Sequence, residues 1–241
     1  MIDIIIPILN EQKILPSSLK RLLELQDFAV KNTIKIIIVD GGSADDSYEL
    51  ITKYCETYNN FFCDQEKIKN PSIIRTLNIA KNLSTANTIL ILPIDCYLSL
   101  ESLKIVINSL ALQDYDYGGL AKKYAPNGPI LSLYCKIQNL IRTSLLKNLV
   151  WTNCIFLKRD IFFDPEVFID HGFMEDVYLS DKLKKEKFKF KYINTKLEVS
   201  SRRYIQDSPY KRILINLIVI FLFRIGLKSP SKLKKIYTLT S

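Results

Sequence analysis

Two adjacent carboxylates, Glu175 and Asp176, stand in the stretch Gly172-Phe173-Met174-Glu175-Asp176-Val177-Tyr178-Leu179-Ser180. Apolar Val177, Leu179 and Leu183, followed by Lys182, Lys184, Lys185 and Lys187, predict a helix that begins near Asp176. The positive end of such a helix holds an ionised acid well. Taken alone, the pair is as well explained by acids that merely start a helix. Two further carboxylates follow apolar runs: Asp40 comes after residues 35–39 and before Gly41-Gly42, and Asp95 comes after residues 89–92 and Pro93-Ile94. An acid at a strand end can accept hydrogen bonds from a nucleobase or ribose, and glycines let the backbone approach a ligand. An Asp-Gly turn that only reverses the chain is the alternative for Asp40. Arg75 and Asn78, three residues apart, share one side of a predicted helix; the arginine suits a diphosphate or a surface salt bridge.

These residues need elements to hold them. Residues 2–6 form an apolar run that Pro7 ends, as a strand buried on both faces would. Ile14, Leu15, Leu19, Leu22 and Leu23 then recur at helical spacing, with Pro16 tolerable in a first turn. Residues 35–39 predict a second buried strand, and Tyr48, Ile51, Cys55 and Tyr58 one face of the next helix. Ser72 caps a helix carrying Ile73, Ile74, Leu77, Ala80 and Leu83; residues 89–92 form another strand, and Ser99 caps a further helix. The β-α-β-α opening predicts an α/β fold, a mostly parallel sheet flanked by helices, with ligands beyond the carboxyl ends of the strands.

With 241 residues, 48% of them hydrophobic, the chain has ample core for one large domain with an appendage. Five cysteines without a C-x-x-C pair suit reduced thiols in or near the core of a cytoplasmic protein. Asp3 and Pro7 break up the N-terminus, so no export signal is expected. Residues 182–241 hold 16 Lys and Arg against 3 Asp and Glu, a balance of +13, which leaves 18 against 22, or −4, for residues 1–181. That asymmetry points to an anionic partner surface, nucleic acid or acidic lipid, or to a solvated basic tail. The run 213–223 is interrupted only by Asn216 and is too short for the roughly 20 residues of a spanning helix. It predicts an amphipathic interfacial helix whose cations meet anionic lipid, or else a helix packed on the domain or on a second subunit. A hinge at Asp207-Ser208-Pro209 would divide the chain into 1–207 and 208–241.

Taken together, Ile6-Pro7-Ile8-Leu9-Asn10-Glu11, Val39-Asp40-Gly41-Gly42-Ser43-Ala44-Asp45, Arg75-Thr76-Leu77-Asn78, Leu92-Pro93-Ile94-Asp95 and Met174-Glu175-Asp176 resemble glycosyltransferase family 2, enzymes of the GT-A fold. Ser200-Ser201-Arg202-Arg203-Tyr204 and Ser229-Pro230-Ser231-Lys232-Leu233 resemble the radical-SAM/selenodomain-associated subgroup of small bacterial transferases. The resemblance implies a nucleotide-sugar donor held by Pro7, Asn10, Glu11 and Asp40 at the nucleoside, with Arg75 and Asn78 near the phosphates. It implies Mg²⁺ or Mn²⁺ on Asp95, the last acid of the D-x-D element. Asp176 would be the general base of an inverting displacement, Glu175 would orient the acceptor, and Arg202 and Arg203 would offset charge on the departing diphosphate. A lipid or lipid-linked acceptor at the cytoplasmic face of the membrane follows from the basic C-terminal segment; no nucleic acid is implied, and a homodimer stays open.

The chain departs from the family pattern in three places. Pro93 stands at the first D-x-D position, Gly41 replaces the second acid of Asp-Asp-Gly-Ser, and Trp151-Thr152-Asn153 takes the place of Gly-Asp-Gln. Pro93 also favours the rival reading, a binding module whose catalytic site has decayed. Nucleotidyl transfer is disfavoured because Ile8-Leu9-Asn10-Glu11-Gln12-Lys13 has no glycine for a phosphate loop. His171, without a second histidine, is expected to be a loop residue rather than a zinc ligand.

Overall fold

The computed structural model describes residues 1–68, 71–112, 114–227 and 229–238. Strands β1 (Ile2–Ile8), β2 (Lys35–Asp40), β3 (Phe61–Gln65) and β4 (Thr88–Ile91) form a parallel half-sheet. β5 (Cys96–Tyr97), β6 (Tyr117–Ala125), β7 (Phe156–Lys158) and β8 (Phe190–Ser200) complete an eight-stranded sheet in the order β3-β2-β1-β4-β7-β6-β8-β5. β7 runs antiparallel to both β4 and β6, and β6 pairs with β8 in parallel. The sheet is therefore mixed and mostly parallel, as expected.

Apolar runs without alternation give strands buried on both sides. Ile4, Ile6, Ile36, Ile38 and Leu90 pack on one face; Ile5, Ile37, Val39, Ile89 and Ile91 pack on the other. Helices α1 (Leu15–Leu23), α2 (Gln26–Lys31), α3 (Ser47–Thr57), α4 (Ile73–Ile79) and α5 (Leu100–Ala111) cover this half. Ser72 and Ser99 cap α4 and α5 as anticipated, accepting from the backbone N–H of Arg75 and Ser102.

Some boundaries differ from the sequence reading. Pro7 does not end β1: the pairing of β1 with β4 stops at Ile5, so beyond it no ladder partner on that side needs the missing N–H, and β1 runs on beside β2 to Ile8. The sequence pattern Cys154-Ile155-Phe156-Leu157 predicts a strand from Cys154, but Cys154 adopts a left-handed conformation (φ 48°) and β7 begins only at Phe156.

The second half adds α6 (Pro129–Ile137), which continues as a π-helical stretch Gln138–Leu145, then α7 (Arg159–Phe163) and α8 (Glu175–Lys185). α9 (Arg202–Asp207), α10 (Pro209–Arg224) and α11 (Pro230–Thr238) close the chain, with Ser208 at φ 72° between α9 and α10. The C-terminal pair packs inward: Ile215, Val219 and Leu233 form a small core with Phe173 and Met174, the residues just before α8. No helix among the described residues is long and apolar enough to cross a membrane. Cys96, Cys135 and Cys154 are buried, and Cys55 and Cys63 are half-buried.

Candidate active site

The carboxyl ends of β1 and β2 are tied together by side chains. Asp40 is fully buried; its Oδ1 accepts from the N–H groups of Gly42 (3.1 Å) and Ser43 (3.0 Å) and from the Ser43 hydroxyl (2.8 Å). Its Oδ2 accepts from Gln65 Nε2 at 2.9 Å. Asn10, at φ 54°, accepts from Ala44 N–H through Oδ1 (2.7 Å) and donates its own N–H to Ser43 Oγ (2.8 Å). The second glycine turns at φ 94°, which a side chain rarely permits. At Gly41 a Cβ would stand 2.5 Å from Thr76 Oγ1 on α4, so α4 leaves no room for a side chain there. Glu11 receives two 3.1 Å hydrogen bonds from Arg202 Nη2, which joins the end of β1 to α9 across 191 residues. Pro7 pairs with Val39 in the ladder just before this cluster.

A hollow of about 350 Å³ is lined by residues of β6, the π-helical continuation of α6, α8, α9 and α10. Asp95, Glu175, Asp176 and Arg203 all line it, and they come from the β4–β5 turn, α8 and α9. Asp95 also borders a second hollow of about 310 Å³ with Pro93 and Ser18. Arg203 is drawn to Tyr237, Asp95 and Glu11, which outweigh the effect of burial and keep its guanidinium protonated.

α8 starts at Glu175, after Met174 in a left-handed conformation (φ 61°). Asp176 accepts from Trp151 N–H (3.4 Å) and from Val177 N–H (2.9 Å). Burial pushes its carboxyl above the usual range, against the pull of Arg142, these N–H groups and Lys122. Glu175 is buried, and its Oε1 has no hydrogen-bond partner. Burial and a hydrogen bond with Asp170 raise it to about 8, so it keeps its proton at neutral pH. In Asp170 burial is outweighed by hydrogen bonds from Glu175, Gly172 N–H, Ser72 and Arg75, and its carboxyl lies below the usual range.

Sequence reasoning passed over several participants. Lys122 is buried on β6 and donates to Thr152 Oγ1 at 2.9 Å. Burial and neighbouring Arg142 bring it down to about 8. In the sequence it stands beside exposed Lys123 and resembles half of a solvated pair; only the strand's inward register separates them. Arg142 and Asp170 are likewise missed, whereas Thr152 belongs to the Trp151-Thr152-Asn153 departure noted from the sequence. Arg75 forms an ion pair with Asp170, the salt-bridge outcome weighed for it, and Asn78 is exposed on α4. His171 stacks on Tyr178 at 3.8 Å between ring centroids, as a loop residue.

Residues 3–174 match the family model for glycosyl transferase family 2, and the chain belongs to that family. The match stops two residues short of Asp176. Among solved structures the chain is similar to S. aureus TarS residues 1–349 in complex with UDP: TM-score 0.65 at 17% identity, covering 99% of this chain and 70% of that one. It is similar also to a mannosyltransferase from Pyrobaculum calidifontis in complex with GDP-Man and Mn²⁺: TM-score 0.65 at 15% identity, covering 98% and 67%. It spans 42% of a longer TarS structure. These likenesses establish the GT-A type of fold. No curated protein sequence matches the chain.

Proposed function

We propose that this protein transfers a sugar from a nucleoside-diphosphate sugar to an acceptor hydroxyl with inversion. The observation that carries the proposal is the convergence of Asp95, Glu175, Asp176 and Arg203 on one hollow, next to the β1–β2 end where Asn10, Glu11 and Asp40 are assembled. Pro7, Asn10, Glu11 and Asp40 take the nucleoside. For Arg75 and Asn78 to meet phosphates, Arg75 must exchange Asp170 for the ligand. Asp176 accepts the proton of the attacking hydroxyl. Burial raises its proton affinity, which suits a base, while Arg142 and Lys122 pull the other way. Glu175, holding its proton, orients the acceptor as a donor. Arg202 and Arg203 offset charge on the departing diphosphate.

A divalent ion fits only in part. Pro93 offers no ligand, and no group of three His, Cys, Asp or Glu side chains that could hold a metal occurs among the described residues. Asp95 would hold a Mg²⁺ or Mn²⁺ ion only together with oxygens of the donor diphosphate, a hard donor set that suits such a cation. When bound it supplies neutralisation of the diphosphate. The subgroup motifs at Ser200–Tyr204 and Ser229–Leu233, and the +13 balance of residues 182–241, favour a bacterial cell-envelope enzyme. Its acceptor is then a lipid or lipid-linked glycan met at the cytoplasmic face of the membrane, with 208–241 as the attaching unit and a homodimer as an alternative use of it.

Pro93 and the Arg75–Asp170 pair favour one second reading, a member that binds donor without transfer. A thermal-shift screen of nucleotide sugars with and without Mn²⁺ tests both. One sugar nucleotide should raise Tm, more so with Mn²⁺, and Asp95→Ala should erase the metal increment. No stabilisation by any nucleotide sugar contradicts donor binding, and an unchanged increment in Asp95→Ala removes Asp95 from the metal.

A further inference from the structure

Two helices that border the candidate pocket carry large apolar side chains on their exposed faces as well as on the core, and each also turns polar side chains into the pocket. α6 with its π-helical continuation turns Gln138 and Arg142 into the hollow, while Leu133 (61% exposed), Ile137 (47%), Leu140 (61%) and Leu145 (65%) face out. α10 turns Arg212 and Asn216 inward, while Leu214 (58%), Leu217 (55%), Phe221 (62%) and Ile225 (47%) face out. An ordinary surface helix confines its apolar stripe to the core side and presents a charged or polar face to water, so a second, exposed apolar face is unusual. The two helices meet through Tyr204: Asn216 Nδ2 donates to its hydroxyl at 3.3 Å, and Tyr134 of α6 packs on its ring at 6.2 Å between centroids. Both outward faces thus belong to one rim around one pocket.

We infer that this rim, α6 together with α10, docks onto a lipid bilayer carrying anionic headgroups and turns the pocket toward it. Large exposed apolar patches mark interaction surfaces. The charge pattern selects the bilayer as partner: residues 129–150 and 208–227 contain no acid, and exposed Lys136, Lys147 and Lys211 lie along or beside the apolar faces, while Arg224 at the end of α10 is paired with Asp181 of α8. Cations bordering Leu, Ile and Phe fit the boundary between headgroups and acyl chains. At 16 residues α10 lies on such a surface and does not cross it. The inference deepens the lipid-acceptor reading of the proposed function and rests on it for the acceptor. It adds a second helix, from the catalytic part of the chain, to the attachment expected of 208–241.

The test is flotation of the full chain with phosphatidylcholine vesicles, with and without phosphatidylglycerol. Wild type should float with the anionic vesicles at low salt. Leu140→Glu/Leu145→Glu on α6 and Leu217→Glu/Phe221→Glu on α10 should each lower partitioning about tenfold or more, with wild-type Tm and wild-type stabilisation by the nucleotide sugar. Wild-type flotation of the α6 variant overturns the two-helix rim. No flotation of wild type, with a dimer in light scattering that either variant dissolves, overturns the bilayer in favour of a second copy. Flotation without stabilisation by any nucleotide sugar leaves the docking surface standing and sinks the transferase reading instead.

Discussion

The β1–β2 end and the α8 pocket of this molecule solve the burial of polar groups in different ways. At the ends of β1 and β2 the polar atoms are answered closely: Asp40 takes three of its four hydrogen bonds from Gly42 and Ser43 and the fourth from Gln65. Around α8 the charges are answered incompletely. Glu175 keeps an unpartnered oxygen and a proton, Lys122 sits in the interior, and Asp176 has a long, 3.4 Å hydrogen bond from Trp151 N–H beside that of Val177. A saturated cluster makes a rigid cradle whose job is shape. An unsaturated one holds groups whose protonation can change, and that is where acid–base chemistry belongs.

If the contrast is real, mutations on the two sides fail differently. The largest effect is expected at Asp40→Ala, which strands four donors in a buried site. It should cost about 2–4 kcal/mol of folding stability and weaken nucleotide binding, read by denaturant unfolding and calorimetry. Equal stability would mean that the cradle is not structural.

In the α8 pocket removal of a charge should stabilise. Lys122 has a folded value near 8 against 10.5. The unfolded chain therefore binds more protons between these values, and stability rises with pH there. Lys122→Met should gain on the order of 2 kcal/mol at pH 7, shrinking toward pH 10, while turnover falls. Glu175 runs the other way. Its folded value of about 8 lies above 4.5, so the folded chain binds more protons between them and wild type loses stability as pH rises from 4.5 to 8. Glu175→Gln should abolish that loss, of order 1–2 kcal/mol, in thermal melts taken across the window. Parallel pH profiles for wild type and Glu175→Gln would contradict the protonated glutamate. The smallest effect is expected where the two sides touch, at the half-buried Arg202–Glu11 pair: Arg202→Ala should shift stability by about 1 kcal/mol or less.

The same contrast explains what could be read from the sequence. The parallel half-sheet announces itself through unbroken apolar runs, and Asp40-Gly41-Gly42-Ser43 is legible because its hydrogen bonds close within three residues. Asp95, Glu175 and Asp176 were identified at element ends, and they do share a hollow. Lys122, Arg142 and Asp170 were not, since their roles depend on register and on contacts across the fold. Arg75 and Asp170 are 95 residues apart, and no local pattern links them. The long apolar run of α10 suggested attachment but not its inward face: Arg212 and Asn216 turn into the pocket only because Phe173 and Met174 give Ile215 and Val219 a surface to pack on.

The most direct test of the proposed chemistry is nucleoside diphosphate release by Asp176→Asn, set beside its donor binding, with the sugar nucleotide that stabilises wild type and a total lipid extract as acceptor. Asparagine keeps the size of the side chain and can accept the Trp151 N–H, yet takes no proton at neutral pH. Turnover should fall about 10²–10⁴-fold while the donor dissociation constant and Tm stay within twofold and a few degrees of wild type. Retained turnover, or loss of donor binding and stability in its place, would contradict Asp176 as the base and leave it a helix-start acid.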